Sequence, residues 1–186
     1  MTLTEMKKKV LGLIEELNPN NEKLTDDPDI AEKLNEAINQ VMFELARMKP
    51  IPEYVEIEVE KGDLIRFDDI SSESGYEVYQ LDVIQGVEYV TKAQGTIVKA
   101  LEDGVLEIEY FKYPERITER TSGNYEFELS ADALEIMPYG VAADLLKNDV
   151  SNNFGNIYAQ RYETMLQRLD SRYSMGSVYI EGGIEI

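Results

Sequence analysis

The chain has no histidine, no cysteine and no tryptophan. Without histidine, every Ser-His-Asp, Cys-His and histidine-zinc arrangement is excluded. Without cysteine there can be no disulfide framework and no thiolate metal site, and the redox compartment stays open. The phosphate-cradling GxxxxGK[ST] loop, the GxGxxG fingerprint and the GxSxG nucleophile elbow are also missing. Positive charge is scarce: 18 Lys and Arg stand against 37 Asp and Glu, a net charge of −19. Affinity for duplex DNA and for anionic membrane surfaces comes largely from basic side chains, so both partners are disfavoured. No stretch approaches the roughly 20 apolar residues that span a bilayer. The opening MTLTEMKKKVLGLIEELNP runs from basic to apolar, but Glu15 and Glu16 interrupt it and no small-residue cleavage site follows; it reads as a helix, not as a signal peptide.

What remains is a chain of 186 residues, 43% hydrophobic, able to bury one good core with a lobe attached. Thr2 and Glu5 suit a capping box, and Leu3, Met6, Val10, Leu13, Ile14 and Leu17 make a helical stripe that stops before Asn18-Pro19. Asp27 as cap and Pro28 at the first helical position open a second helix, with Ile30, Leu34, Ile38, Val41, Leu45 and Met48 on one face.

From Ile51 the period changes to two. Val55, Ile57 and Val59 alternate with Glu56, Glu58 and Glu60, the pattern of a strand with one wet face. Further strands are expected over 64–67, 76–84, 87–91, 95–101 and 105–113, punctuated by SSESG, QG, AQG and EDG. The expected result is an antiparallel sheet or small sandwich. Residues 51–129 hold seven basic and nineteen acidic residues, a net −12, so this lobe carries most of the acid. The string Asp68-Asp69-Ile70-Ser71-Ser72-Glu73-Ser74-Gly75 is the best metal-like motif. It fails the EF-hand pattern, because counting from Asp69 the Gly falls one place late and the twelfth position is Gln80. A solvated acidic hairpin loop is expected there, and no metal or cofactor is implied.

Ser130 to Asp170 reads as two amphipathic helices joined by a polar corner at 148–153. Leu134, Met137, Val141 and Leu145 line the first, while Phe154, Ile157, Tyr158, Met165, Leu166 and Leu169 line the second. Pro138 inside the first predicts a kink, or a bend that fits the helix around a neighbour. Such a pair cannot bury its apolar faces alone, and the N-terminal pair is its natural complement. The fold expected is therefore α+β: a four-helix bundle from residues 1–50 and 130–170, an inserted β lobe at 51–129, and an extended C-terminal arm at 171–186. The arm, with Val178, Tyr179 and Ile180, is too apolar for an ordinary tail and follows a Gly/Ser hinge. It suits either addition to a neighbour's sheet edge or groove, or a return onto the chain's own β lobe. The 12 tyrosines lack the basic groove that would make them base-stacking platforms; Tyr139, Tyr158 and Tyr162 are expected in the core or at a subunit interface.

Taken together, the strand ending Tyr110-Phe111-Lys112-Tyr113-Pro114, then Ile117, Phe127 and Leu129, then Ala133-Leu134, Met137-Pro138-Tyr139, Ala142-Ala143 and Leu145-Leu146, resemble the head-to-tail connector proteins of tailed bacteriophages, the adaptor or neck-ring type beneath the portal. Asp149 at the corner and Tyr158, Tyr162, Leu166 and Leu169 on the second helix complete the likeness, which covers about the last third of the chain. It implies a structural virion protein, assembled in the host cytoplasm, without catalysis or cofactor. It further implies a homo-oligomeric ring, dodecameric in that family, with the portal and neck or tail proteins as partners. The expected interface residues are Tyr139, Asp149, Asn152, Tyr158, Tyr162, Val178, Tyr179 and Ile180. An acidic lobe suits passive lining of a DNA channel, since like charge keeps phosphates from sticking; an outward, solubilising face suits the composition equally. The alternative is a tail or baseplate accessory module that recognises protein or polysaccharide through the β lobe.

Overall fold

A computed structural model describes residues 1–18, 24–147 and 153–169 of the chain. Among the described residues it is a mixed α/β structure with five α-helices and two small antiparallel sheets of three strands each. In chain order these are α1 (Leu3–Leu13), α2 (Pro28–Met48), β1 (Ile51–Val59), β2 (Leu64–Arg66), α3 (Phe67–Ser74), β3 (Val78–Gly86), β4 (Tyr89–Lys92), β5 (Ile97–Ala100), β6 (Gly104–Lys112), α4 (Ala131–Leu146) and α5 (Phe154–Leu166).

Both N-terminal helices start as their sequences dictate. Thr2 and Glu5 close a reciprocal capping box, with Glu5 N–H donating to Thr2 Oγ1 and Thr2 N–H to Glu5 Oε2. Asp27 accepts from the N–H groups of Asp29 and Ile30, with Pro28 at the first helical position. The α1 stripe runs on to Leu17 in sequence, but the helix stops at Leu13. Glu15 turns into the left-handed region (φ 61°) and Glu16 N–H closes the end on the Leu11 carbonyl. Ile14 and Leu17 still pack on the helical core from outside the helix.

The acidic string expected to be a solvated hairpin loop is instead α3. Asp69 accepts from Arg66 N–H (2.7 Å), two aspartates occupy the first turn, and Gly75 (φ 77°) supplies the left-handed end. Ile70, fully buried under the sheets, anchors this short helix.

The strands do not pair as a simple meander. The first sheet has the order β1-β6-β3 and the second β2-β5-β4. Because β1 leads to β2, β3 to β4 and β5 to β6, each strand of one sheet continues across a bend into the corresponding strand of the other. Gly86 makes the β3–β4 bend at φ 101°, where a Cβ would lie 2.2 Å from the Val105 carbonyl oxygen. Val55, Ile57 and Val59 face inward with Leu106, Ile108 and Tyr110, while Tyr54, Glu56 and Glu58 face outward with Glu107 and Glu109.

The helices and the sheets bury separate apolar clusters. α1, α2, α4 and α5 contribute to the first, which also takes in Ile51, Ile117, Phe127 and Leu129. α4 lies at its centre, against α5, α2 and α1. Pro138 is buried within α4, and the helix continues through it from Ala131 to Leu146. The segment after β6 is tied to the N-terminus, Leu3 N–H donating to the Tyr125 carbonyl and Thr4 N–H to that of Gly123.

Candidate interaction surface

Of the eight residues expected at an interface, Tyr139, Tyr158 and Tyr162 are described; Asp149, Asn152, Val178, Tyr179 and Ile180 lie outside the described residues, as do the corner at 148–152 and the arm at 171–186. The three tyrosines converge where α4 meets α5, but in different roles. Tyr162 is an interior residue: its ring lies against Gly140, which Val41 also approaches, and its hydroxyl donates to Glu44 Oε2 (2.9 Å). Burial first, and then the Glu44 carboxylate, push its hydroxyl pKa well above the ordinary value. Tyr158 donates to the carbonyl of Leu13 (2.6 Å), which ties α5 to the end of α1.

Tyr139 and Tyr158 are half-buried and face one another at 6.3 Å. Phe154 stacks on Tyr158, also at 6.3 Å, and the Arg161 guanidinium carbon lies 4.2 Å from the centre of the Tyr139 ring. Phe154 and Ile157 are 49% and 50% exposed. An apolar and aromatic strip therefore opens along the outer side of α5, with a cation laid over one edge. Sequence periodicity assigned Phe154 and Ile157 to the buried face, because a helical stripe alone does not say which part of it finds a partner within the chain.

A second surface lies where helices and sheets meet. The Lys112 side chain, only 3% exposed, carries its ammonium between Glu128 (3.1 Å) and Glu53 (3.3 Å) and over the ring of Tyr76 (3.5 Å). Burial acts to lower its pKa, but the two carboxylates outweigh that and hold it above the ordinary lysine value. Next to it Arg47 donates through Nε and Nη2 to the Tyr113 hydroxyl (2.8 and 2.5 Å), and Phe43 meets Tyr113 edge-on at 5.5 Å. Phe43, Arg47, Tyr76, Tyr113 and Glu128, with Glu77, Glu115 and Arg116, line a cleft of about 800 Å³, which sequence reasoning missed. Its walls come from positions 43–47, 75–77 and 113–116, which no local pattern links.

The third surface is the outer face of the first sheet. Glu56 lies directly across from Glu107, and Tyr54 across from Glu109. Like charges in direct register are unfavourable, so this face suits water better than close packing. The Tyr54 hydroxyl donates to Glu56 Oε1 (2.8 Å), and this bond, with the neighbouring carboxylates, pushes its pKa up to about 12. Among the described residues no group of three or more acidic side chains is placed to hold a metal ion, and no helix is long and apolar enough to cross a membrane.

No protein-family model matches the chain, and no curated protein matches it.

Proposed function

We propose that this chain is a structural, non-catalytic protein of a tailed-phage virion, which packs side by side with copies of itself into a ring at the head-tail junction beneath the portal. The observation that carries the reading is the open strip on α5, where Phe154 and Ile157 are half exposed beside Tyr158, Tyr139 and Arg161. It lies on the helix pair whose sequence resembles the connector family. Aromatic residues and arginine are the side chains enriched at the centres of protein interfaces.

In this reading α1, α2, α4 and α5 form a four-helix bundle, the sheets form a small inserted sandwich, and residues 171–186 are an arm that reaches onto an adjacent subunit. The ring is dodecameric, its partners are the portal and the neck or tail proteins, and it reaches the virion after assembly in the host cytoplasm. The sheet face bearing Glu56, Glu58, Glu107 and Glu109 repels phosphate wherever it meets passing DNA. Electron microscopy and sedimentation of the purified protein, alone and with the portal of the same phage, test the proposal. Rings are expected in at least the second case; a monomer in both overturns it, and tight binding of DNA by the chain alone overturns the channel role.

A second reading has one observation in its favour. Tyr54 is 49% exposed on the wet sheet face, as in an accessory module that recognises protein or polysaccharide. Loss of binding to a glycan or protein array on Tyr54→Ala would support it. The ring reading is preferred because Tyr54 is the only large aromatic exposed on that face among the described residues, whereas α5 presents a continuous strip.

A further inference from the structure

The outer face of the second sheet differs from the rest of the lobe. On the side opposite Ile65 and Val98, the register sets Leu64, Lys99 and Val90 in one row and Arg66, Ile97 and Lys92 in the next. Basic and apolar side chains therefore alternate both across the strands and along them. Leu64 and Val90 are 47% and 39% exposed. Of the seven basic residues between positions 51 and 129, three stand on these six positions, and none of the nineteen acids does. Glu88 before β4 and Asp68 after β2 lie at the borders of the face.

The first sheet presents the opposite pattern. Its outer face carries Glu56 across from Glu107, Tyr54 across from Glu109 and Glu58 across from Val105. Apolar side chains are exposed here too, Tyr54 by 49% and Val105 by 39%. Among the described residues eight large apolar side chains are exposed, and Leu64, Val90, Tyr54 and Val105 are four of them, so half belong to these two oppositely charged faces.

One chain cannot join the two faces. Ile65 and Val98 share a buried cluster with Leu106 and Ile108 of the first sheet, so each sheet turns its outer face away from the other. A second copy can join them. Both faces have the spacings of a sheet, about 4.8 Å between strands and about 6.8 Å between alternate residues of one strand, and two sheets stack about 10 Å apart. Cations on one face then fall within reach of carboxylates on the other. Facing glutamates repel one another, and lysine or arginine laid between them removes that repulsion. Duplex DNA fits the basic face less well, because three cations set among three aliphatic side chains neutralise few phosphates and a net charge of −19 opposes the approach.

We propose that the outer face of the second sheet docks on the outer face of the first sheet in another copy of this chain. Arg66, Lys92 and Lys99 meet Glu56, Glu58, Glu107 and Glu109, and Leu64 and Val90 meet Tyr54 and Val105. Because two different faces come together, a pair of copies still has one of each to offer, and the contact propagates head to tail as in a ring or a filament. It adds a contact to the ring reading and does not rest on closure. Glutamates covered in this way meet no DNA, so a channel role passes to acids outside the contact.

The absence of cysteine allows a test in the full chain. A chain carrying Val90→Cys is mixed with an equal amount of a chain carrying Val105→Cys, and disulfide-linked dimers are timed under mild oxidation. Mixed dimers, told apart by a mass label on one chain, are expected to form at least about tenfold faster than dimers of either chain with itself, the range of a few exposed ion pairs. Raising the salt from about 0.1 to 1 M shortens the screening length from about 10 to 3 Å and is expected to remove most of that advantage. Arg66→Glu with Lys92→Glu on the first chain, or Glu56→Lys with Glu107→Lys on the second, is expected to slow mixed closure by about tenfold. Both reversals together are expected to restore it, which a fold defect could not imitate. Mixed dimers no faster than self dimers, or a rate indifferent to the reversals, overturn the proposal. Protection of the Val90→Cys thiol from alkylation by duplex DNA or by the portal, but not by the second chain, gives the face to that partner and overturns it too. Electron micrographs of the same samples read the ring separately: fast mixed closure without rings removes the ring reading and leaves this contact, and rings with equal rates do the reverse.

Discussion

The side-chain amide of Asn39 pairs with both backbone groups of Ile117: Asn39 Nδ2 donates to the Ile117 carbonyl at 2.8 Å, and Ile117 N–H donates to Asn39 Oδ1 at 2.7 Å. Both residues are buried, so one side chain takes the part of a missing strand partner and fixes the segment after β6 against α2. Asn39→Ala leaves the two groups unpaired away from water. A loss of about 2–4 kcal/mol is expected from urea unfolding midpoints at constant m, and an unchanged midpoint would show that water replaces the amide.

Gly140 allows α4, α5 and α2 to meet. A Cβ there would lie 2.8 Å from Tyr162 Cε2 and 2.9 Å from Val41 Cγ1, inside any tolerable contact. Gly140→Ala is expected to cost about 1–3 kcal/mol by overpacking, despite the better helix propensity of alanine. A neutral or stabilising result in thermal unfolding would mean that the three helices separate more readily than their packing suggests.

Stability is expected to fall in alkali. Lys112 has its pKa raised by Glu128 and Glu53 against the effect of burial, and burial pushes the Tyr79 and Tyr125 hydroxyls up to about 12. A group whose folded pKa is raised stabilises fully below its unfolded value and loses that contribution as pH climbs through the folded one. The loss should therefore begin near the ordinary values of 10.0 to 10.5 and extend to about pH 12. Lys112→Met should be less stable at neutral pH and show a shallower decline, measured as the unfolding midpoint against pH.

The acid side has the opposite sign. Burial works to raise Asp132, but Lys49 outweighs it and holds the carboxyl below its ordinary 3.8. The contribution is present above the unfolded pKa and lost as pH falls through the folded one. Because Asp132 is about half exposed, solvent screens the pair, and Asp132→Asn should cost less than about 1 kcal/mol at pH 7. That difference from the unaltered chain should shrink as the pH falls from the ordinary 3.8 and vanish once it has passed through the lower folded-state value, as followed by circular dichroism.

Assembly and stability separate at α5. Ile157 is half exposed, so Ile157→Asp should change the unfolding free energy by no more than about 0.5 kcal/mol. If α5 meets a neighbouring subunit, the same substitution buries an unpaired charge there and abolishes rings in electron micrographs. Unaltered rings would move the interface away from this strip.

The sequence by itself determined the starts of the two N-terminal helices, the faces of β1 and the classes of chemistry ruled out. Those depend on local signals: Thr2 with Glu5, Asp27 with Pro28, the alternation from Val55 to Glu60, and a count of zero for histidine and cysteine. It misread Asp68 to Gly75 as a loop, because the burial of Ile70 that holds α3 comes from strands distant in the chain. It named Tyr139, Tyr158 and Tyr162 together, but only packing separates them: Tyr162 faces a glycine and goes inside, while Tyr139 and Tyr158 stay half open beside Arg161. The groove at Arg47 was decided by tertiary structure alone. Its walls lie about seventy residues apart in the chain, and their chemistry exists only once α2 and the end of β6 are side by side.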